Sequence, residues 1–195
     1  MKTRSPWVVY LHGFRSSPQS FKAQVLAKAM AHRGLAERYH APALPASPRA
    51  AVELVEAWCA KAAPEDVTLI GSSLGGYYAT WLAERIGCRA VLINPGVFAA
   101  RDLSAYVGTH ASWHDPTQTF ELTPQHIDEL RAIEVAAITR PDRYYLIAAT
   151  GDEVLDWREM VAKYPLARHT IVQGSDHGLS DFERYLDDVL AFCGV

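Results

Sequence analysis

The sequence predicts an α/β fold: an open, doubly wound, mostly parallel sheet of about six strands with helices on both faces. Three observations carry this expectation. Short apolar runs alternate with longer helical patterns along most of the 195 residues. Four of the six runs are aliphatic or β-branched almost throughout, as strands buried on both faces read. Strand alternating with helix requires parallel pairing through right-handed crossovers.

The elements follow in chain order. The first run is "WVVYLH" (7–12). A helix is expected over 18–33, where Phe21, Val25, Leu26 and Ala29 recur at helical spacing. The run at 38–44 contains Pro42, which demotes it to an edge strand. Ser47 is a candidate cap for a helix over 48–62, with Pro48 at its first position. "VTLIGS" (67–72) is a buried strand and 74–86 a helix, followed by "RAVLIN" (89–94). Segment 97–140 breaks the rhythm with Pro116, Pro124 and several aromatics, and holds a helix signal at 124–134. It reads as a lid or cap. "YYLIAAT" (144–150), a helix over 156–163, "HTIVQG" (169–174) and a helix over 179–192 complete the alternation. The expected organisation is a single domain over 1–195 with a lid insertion at about 97–140.

Composition narrows the function classes. A net charge of -3, without a run of five or six like charges, argues against nucleic-acid binding. Cys59, Cys88 and Cys193 are too few and too far apart for a disulfide framework or a structural zinc site. A reducing cytoplasm is the expected compartment. Lys2 and Arg4 precede an apolar stretch too short for a signal-peptide core. No stretch approaches the roughly 18 apolar residues of a membrane span.

In a doubly wound sheet, ligands gather at the carboxyl ends of the strands. There the runs are followed by "HGFRSSP", "GSSLGG", "NPG", "GDEVLD" and "GSDHGLS". A serine, an aspartate and a histidine stand at three strand ends in the chain order Ser, Asp, His, the order of an α/β-hydrolase triad. Gly71-Ser72-Ser73-Leu74-Gly75 fits the Gly-x-Ser-x-Gly elbow centred on Ser73. Ser72 is out of frame, because Ile70 and Leu74 stand where glycines would be needed. A tight turn with an idle serine is the alternative. A serine hydroxyl needs a base within hydrogen-bond reach. Of eight histidines, His177 alone follows the last strand in a short polar loop. Asp152 is the candidate acid, with Glu153 and Asp156 as competitors; Asp156 could instead cap a helix. The backbone N–H groups of Leu74 and Phe14 are candidates for an oxyanion hole, each such donor typically supplying about 3 kcal/mol. Candidate substrate-binding residues are His12, Gly13, Tyr77, Asn94 and Trp113, with Tyr78, Phe98, Tyr106 and Phe120 able to join an apolar acyl pocket or merely pack the core. Arg15, Arg101 and His110 are expected to be solvated.

"YLHGFRSSP", "GSSLGGYYATWL", "NPG", "TGDEVLDWRE" and "SDHGLSDFERYL", in this order and at this spacing, resemble the YqiA-type esterases of the α/β-hydrolase superfamily. The resemblance spans nearly the whole chain. It implies a hydrolase of carboxylic esters or thioesters that needs no cofactor or metal and acts on a small molecule. It carries the nucleophile role onto Ser73, the acid role onto Asp152 and the base role onto His177. Small size and a short lid lead to the expectation of short acyl groups. Acyl transfer, C–C bond hydrolysis, or a non-catalytic binding module on the same fold are the alternatives.

Overall fold

The aliphatic runs become strands, and their alternation sorts side chains onto two faces. A computed structural model describes residues 6–195; Lys2 and Arg4 lie outside the described residues. In chain order the elements are β1 (Trp7–Leu11), α1 (Phe21–His32), β2 (Tyr39–His40), α2 (Pro48–Cys59), β3 (Val67–Ser72), α3 (Leu74–Ile86), β4 (Arg89–Ile93) and α4 (Ala99–Leu103). They continue with β5 (Gly108–Ala111), β6 (Thr119–Leu122), α5 (Pro124–Ala132), β7 (Tyr144–Ala149), α6 (Trp157–Lys163), β8 (Arg168–Val172) and α7 (Leu186–Cys193).

Six strands form one parallel sheet in the order β2-β1-β3-β4-β7-β8. β3 and β7 are buried at every position, as central strands covered on both faces must be. One face (Val9, Leu11, Leu69, Leu92, Leu146) packs with residues of α2, α3, α5 and α6. The other (Val8, Tyr10, Ile70, Val91, Ile147) packs with α1 and α7. The chain runs from β1 outward to β2, then returns to the opposite side of β1 as β3. That reversal puts the crevice between β1 and β3, where the loop after β1 and the turn after β3 meet.

Several expected boundaries shift. The helix expected from residue 18 begins at Phe21, and that expected over 48–62 ends at Cys59. The last one opens with a 3-10 turn at Phe182–Tyr185 and becomes α-helical only at Leu186. The run around Pro42 yields a two-residue edge strand. Segment 97–140 contains the expected helix α5, but also α4 and an antiparallel hairpin, β5–β6, in register Gly108↔Leu122. Among the described residues, no helix is long and apolar enough to cross a membrane.

Candidate active site

Ser73 stands between β3 and α3 with φ 55° and ψ -121°, a conformation that costs a side-chain-bearing residue energy and is retained by its surroundings. Two glycines make the turn feasible. A Cβ on Gly71 would come within 2.3 Å of the Gly75 carbonyl oxygen, and one on Gly75 within 2.0 Å of the Leu11 carbonyl oxygen. Ser73 N–H donates to Ile93 O (3.0 Å), and its carbonyl accepts from Gly76 N–H (2.9 Å) and Gly96 N–H (3.0 Å). The backbone is pinned while the hydroxyl is left to other partners.

Ser73 Oγ lies 2.9 Å from Nε2 of His177. On the far side of the ring, Nδ1 of His177 lies 2.8 Å from Asp152 Oδ2. The Asp152 side chain is fully buried, the His177 side chain 19% exposed. The other oxygen of Asp152 accepts from Val154 N–H and Leu155 N–H, both at 2.8 Å. The carboxylate is thus aimed, one oxygen held by amides and the other presented to the ring. Because a carboxylate accepts, the proton of a neutral His177 sits on Nδ1, and Nε2 is free to accept from Ser73 Oγ–H.

The competing acids have other tasks. Glu153 accepts the His177 backbone N–H (2.9 Å). Asp156 caps α6 by accepting from Arg158 N–H (2.9 Å). Asp176 is bonded by the Ser180 side chain and accepts from Ser180 N–H, and this bonding holds its carboxyl below its ordinary range.

Asn94 departs from the expectation of a pocket-wall residue. It is fully buried, Oδ1 accepting Ala149 N–H (2.8 Å), Nδ2 donating to Asp176 O (3.0 Å) and His177 O (2.9 Å). It braces the histidine loop from the end of β4 and has no surface to offer a ligand. Among the described residues, six non-glycine positions have positive φ, and five of them (Arg15, Ser73, Asn94, Ser175, Leu179) lie in loops around this site. Such clustering of backbone strain is what a constrained functional centre produces.

A cavity of about 240 Å³ reaches the elbow at Gly13 and Leu74, although Ser73 and His177 are not among the residues that line it. His12, Gly13, Phe14 and Leu74 form its wall next to the serine, and Tyr78, Leu122 and Leu130 line it further on. A Cβ on Gly13 would lie 3.0 Å from Ser73 Cβ, so the loop after β1 passes directly against the elbow. Leu74 opens α3, and the first N–H groups of a helix have no acceptor within it. His12 is buried; its Nδ1–H donates to Gly13 O (3.0 Å) and its Nε2 accepts Leu44 N–H (3.1 Å). Burial lowers its pKa, favouring the neutral ring that these two bonds require.

Tyr77 faces away from the cavity and donates to Leu130 O, while its neighbour Tyr78 lines it. One residue along a helix is a turn of about 100°, which decides between core and pocket. Trp113 is 66% exposed and lines no part of the cavity. Its N–H donates to Arg15 O (2.8 Å) and its ring lies 3.9 Å from the Arg15 guanidinium, which also donates to Ala111 O (2.9 Å). Arg15, expected to be solvated, instead fastens the β5–β6 hairpin to the loop after β1. Phe14 adds edge-on contacts with His110 and Phe120 of that hairpin. Arg101 is engaged by Glu159 and Asp102.

The family model named Uncharacterised protein family (UPF0227) matches residues 7–194. The chain belongs to this family. It is the YqiA family that the motifs resemble. The UPF0227 chain is also similar to solved α/β-hydrolase structures at low identity. A hydrolase candidate from Agrobacterium vitis S4 matches with TM-score 0.78 and 21% identity, covering 96% of this chain and 88% of that one. The alpha/beta hydrolase domain-containing protein 10 from mouse matches with TM-score 0.71 and 15% identity over 98% and 92%. Est1E from Butyrivibrio proteoclasticus, in a structure with ferulic acid bound, matches with TM-score 0.66 and 12% identity over 97% and 90%. The UPF0227 chain therefore has the α/β-hydrolase fold.

In this UPF0227 chain the loops after β3, β7 and β8 bring a hydroxyl, a carboxylate and an imidazole, respectively, into one bonded row near a cavity of mixed apolar and polar lining. Such a row can take a proton from the hydroxyl as it attacks an electrophile. Among the described residues, no group of three or more His, Cys, Asp or Glu is placed to hold a metal ion.

Proposed function

We propose that this protein is a serine hydrolase that cleaves carboxylic esters or thioesters through an acyl-enzyme on Ser73. The observation that carries the reading is the unbroken row Ser73 Oγ, His177 Nε2 (2.9 Å), His177 Nδ1, Asp152 Oδ2 (2.8 Å). In the first step Ser73 Oγ attacks the acyl carbon while His177 takes its proton. Asp152 stabilises the imidazolium that forms. The alkoxide or thiolate leaves with that proton. Water then attacks the acyl-enzyme, giving one proton to His177, which returns it to Ser73 Oγ as the Oγ–C bond breaks and the carboxylic acid departs. The amides of Phe14 and Leu74 are assigned to the oxyanion: Leu74 follows Ser73 in the chain, and Phe14 follows Gly13, which passes against the elbow.

The cavity is assigned to the acyl group. Its lining includes Phe14, Leu44, Tyr78, Phe120, Leu122 and Leu130, and the hairpin residues Phe120 and Leu122 make segment 97–140 its lid. An apolar cavity of about 150 Å³ holds benzene. By that scale about 240 Å³ admits an acyl group of roughly ten non-hydrogen atoms. The α/β-hydrolase neighbours, one of them solved with ferulic acid, support a small-molecule substrate.

The test is labelling with a fluorophosphonate together with a screen of p-nitrophenyl esters and acyl thioesters. Wild type labels and turns over substrate; Ser73→Ala does neither. Equal labelling of the two would overturn the proposal.

A further inference from the structure

Lys22 is the second residue of α1, yet it is only 8% exposed. Two costs attach to this position. A lysine is rarely buried, because its ammonium loses hydration. A cation in the first turn of a helix also opposes the helix dipole. The side chain gives up solvent to reach one atom: its Nζ donates to the carbonyl oxygen of Gly178, the residue after His177. Burial pushes its pKa down to about 8, and the charge of Asp176 opposes that shift.

The neighbouring bonds show what this contact completes. Residues 176–178 present three carbonyls and carry the imidazole between them. Asn94 holds the carbonyls of Asp176 and His177. Glu153 holds the N–H of His177. The carbonyl of Asp176 also accepts Leu179 N–H. Lys22 takes the remaining carbonyl, from α1, which packs with Tyr10 and Leu179.

We propose that Lys22 is a positioning residue for the hydrolytic reaction: its buried ammonium, acting through the Gly178 carbonyl, keeps His177 between Ser73 and Asp152. The inference rests on the proposed hydrolase function. It adds a requirement that the three reacting side chains do not reveal, a cation on α1 that touches none of them. An imidazole displaced by about 1 Å can lose a hundredfold in rate without losing its chemistry.

The test compares wild type, Lys22→Met and Ser73→Ala in ester hydrolysis and thermal unfolding. Methionine keeps an unbranched side chain, one atom shorter, and removes the charge. Removing the ammonium lifts the cost of its burial, and the Gly178 carbonyl it leaves belongs to an exposed residue that water can reach. The expected result is a kcat lowered between about tenfold and a hundredfold, a KM within about twofold of wild type, and an unfolding midpoint not below that of wild type. An unchanged kcat, a loss confined to KM, or a loss that tracks lowered stability would overturn the inference while Ser73→Ala still reports on the hydrolase itself. Wild type without turnover would sink both. If Lys22→Met does not fold, Lys22→Gln is read against the same three criteria.

Discussion

The side-chain amide of Asn94 donates to the carbonyl of His177 at 2.9 Å, so the end of β4 carries the loop that follows β8. Asn94→Ala removes this bond, the bond to Asp176 O and the acceptor of Ala149 N–H. Buried groups left unpaired cost their desolvation. The variant is expected to lose roughly 2–4 kcal/mol in urea unfolding and to hydrolyse esters more slowly. Unchanged stability would show that the brace is dispensable.

Asp152→Asn leaves the shape of the site intact. Its amide oxygen replaces the oxygen that accepts from Val154 and Leu155, and its NH2 then faces His177 Nδ1. A donor there selects the imidazole with its proton on Nε2, which cannot receive the Ser73 proton. The expected fall in kcat is about 10⁴-fold, with little change in KM, read by steady-state kinetics. The same substitution at Asp156, which caps α6, is expected to leave kcat near wild type.

The two glycines of the elbow are expected to be irreplaceable. Gly75→Ala puts a methyl 2.0 Å from the Leu11 carbonyl oxygen, where backbone must move. It is expected to cost more than about 4 kcal/mol or prevent folding. Gly34→Ala meets nothing within 4 Å and costs only what its φ of +70° imposes, about 1 kcal/mol. Urea titration of both variants checks the contrast.

Lys22 gives stability a pH signature. Its folded pKa is pushed down to about 8 from an ordinary 10.5, by burial first, with the Asp176 carboxylate opposing. Between these values the unfolded chain binds the proton more tightly, so the lysine's unfavourable contribution shrinks as pH rises. Lys22→Met, free of that burden, is expected to exceed wild type in stability at pH 7. Its lead should narrow from about pH 8 upward. A lead constant across pH 7 to 10 would contradict the buried cation.

The cavity predicts a chain-length profile. kcat/KM is expected to rise from acetyl esters to acyl groups of roughly ten non-hydrogen atoms and then fall. Ala46→Trp, at the exposed rim of the cavity, and Leu122→Trp, in its roof, are expected to move the maximum to shorter chains. Identical profiles for all three proteins would assign the acyl group elsewhere.

The positions of Ser73, Asp152 and His177 were readable because each stands in a short polar motif directly after an apolar run, and a parallel sheet brings such ends together. The β5–β6 hairpin was not, because "GTHA" carries no apolar run and "TFEL" alternates over only four residues. Tyr77 and Tyr78 differ only in helical phase, which is set by what α3 packs against. Asn94 and Lys22 take their meaning from partners on β7, and in the loop after β8, that no local pattern announces. Trp113 has the composition of a pocket residue but lies on the outer side of the Arg15 clasp.

Among the described residues, β8 is one of the two edge strands of the sheet and pairs along its β7 side. The proposed general base therefore hangs from the margin of the architecture, while the proposed nucleophile is rooted near its middle. Margins exchange amide hydrogen and fray before centres do. Heating should accordingly silence turnover several degrees below the cooperative melt, with the imidazole drifting away from an elbow that is still fully formed.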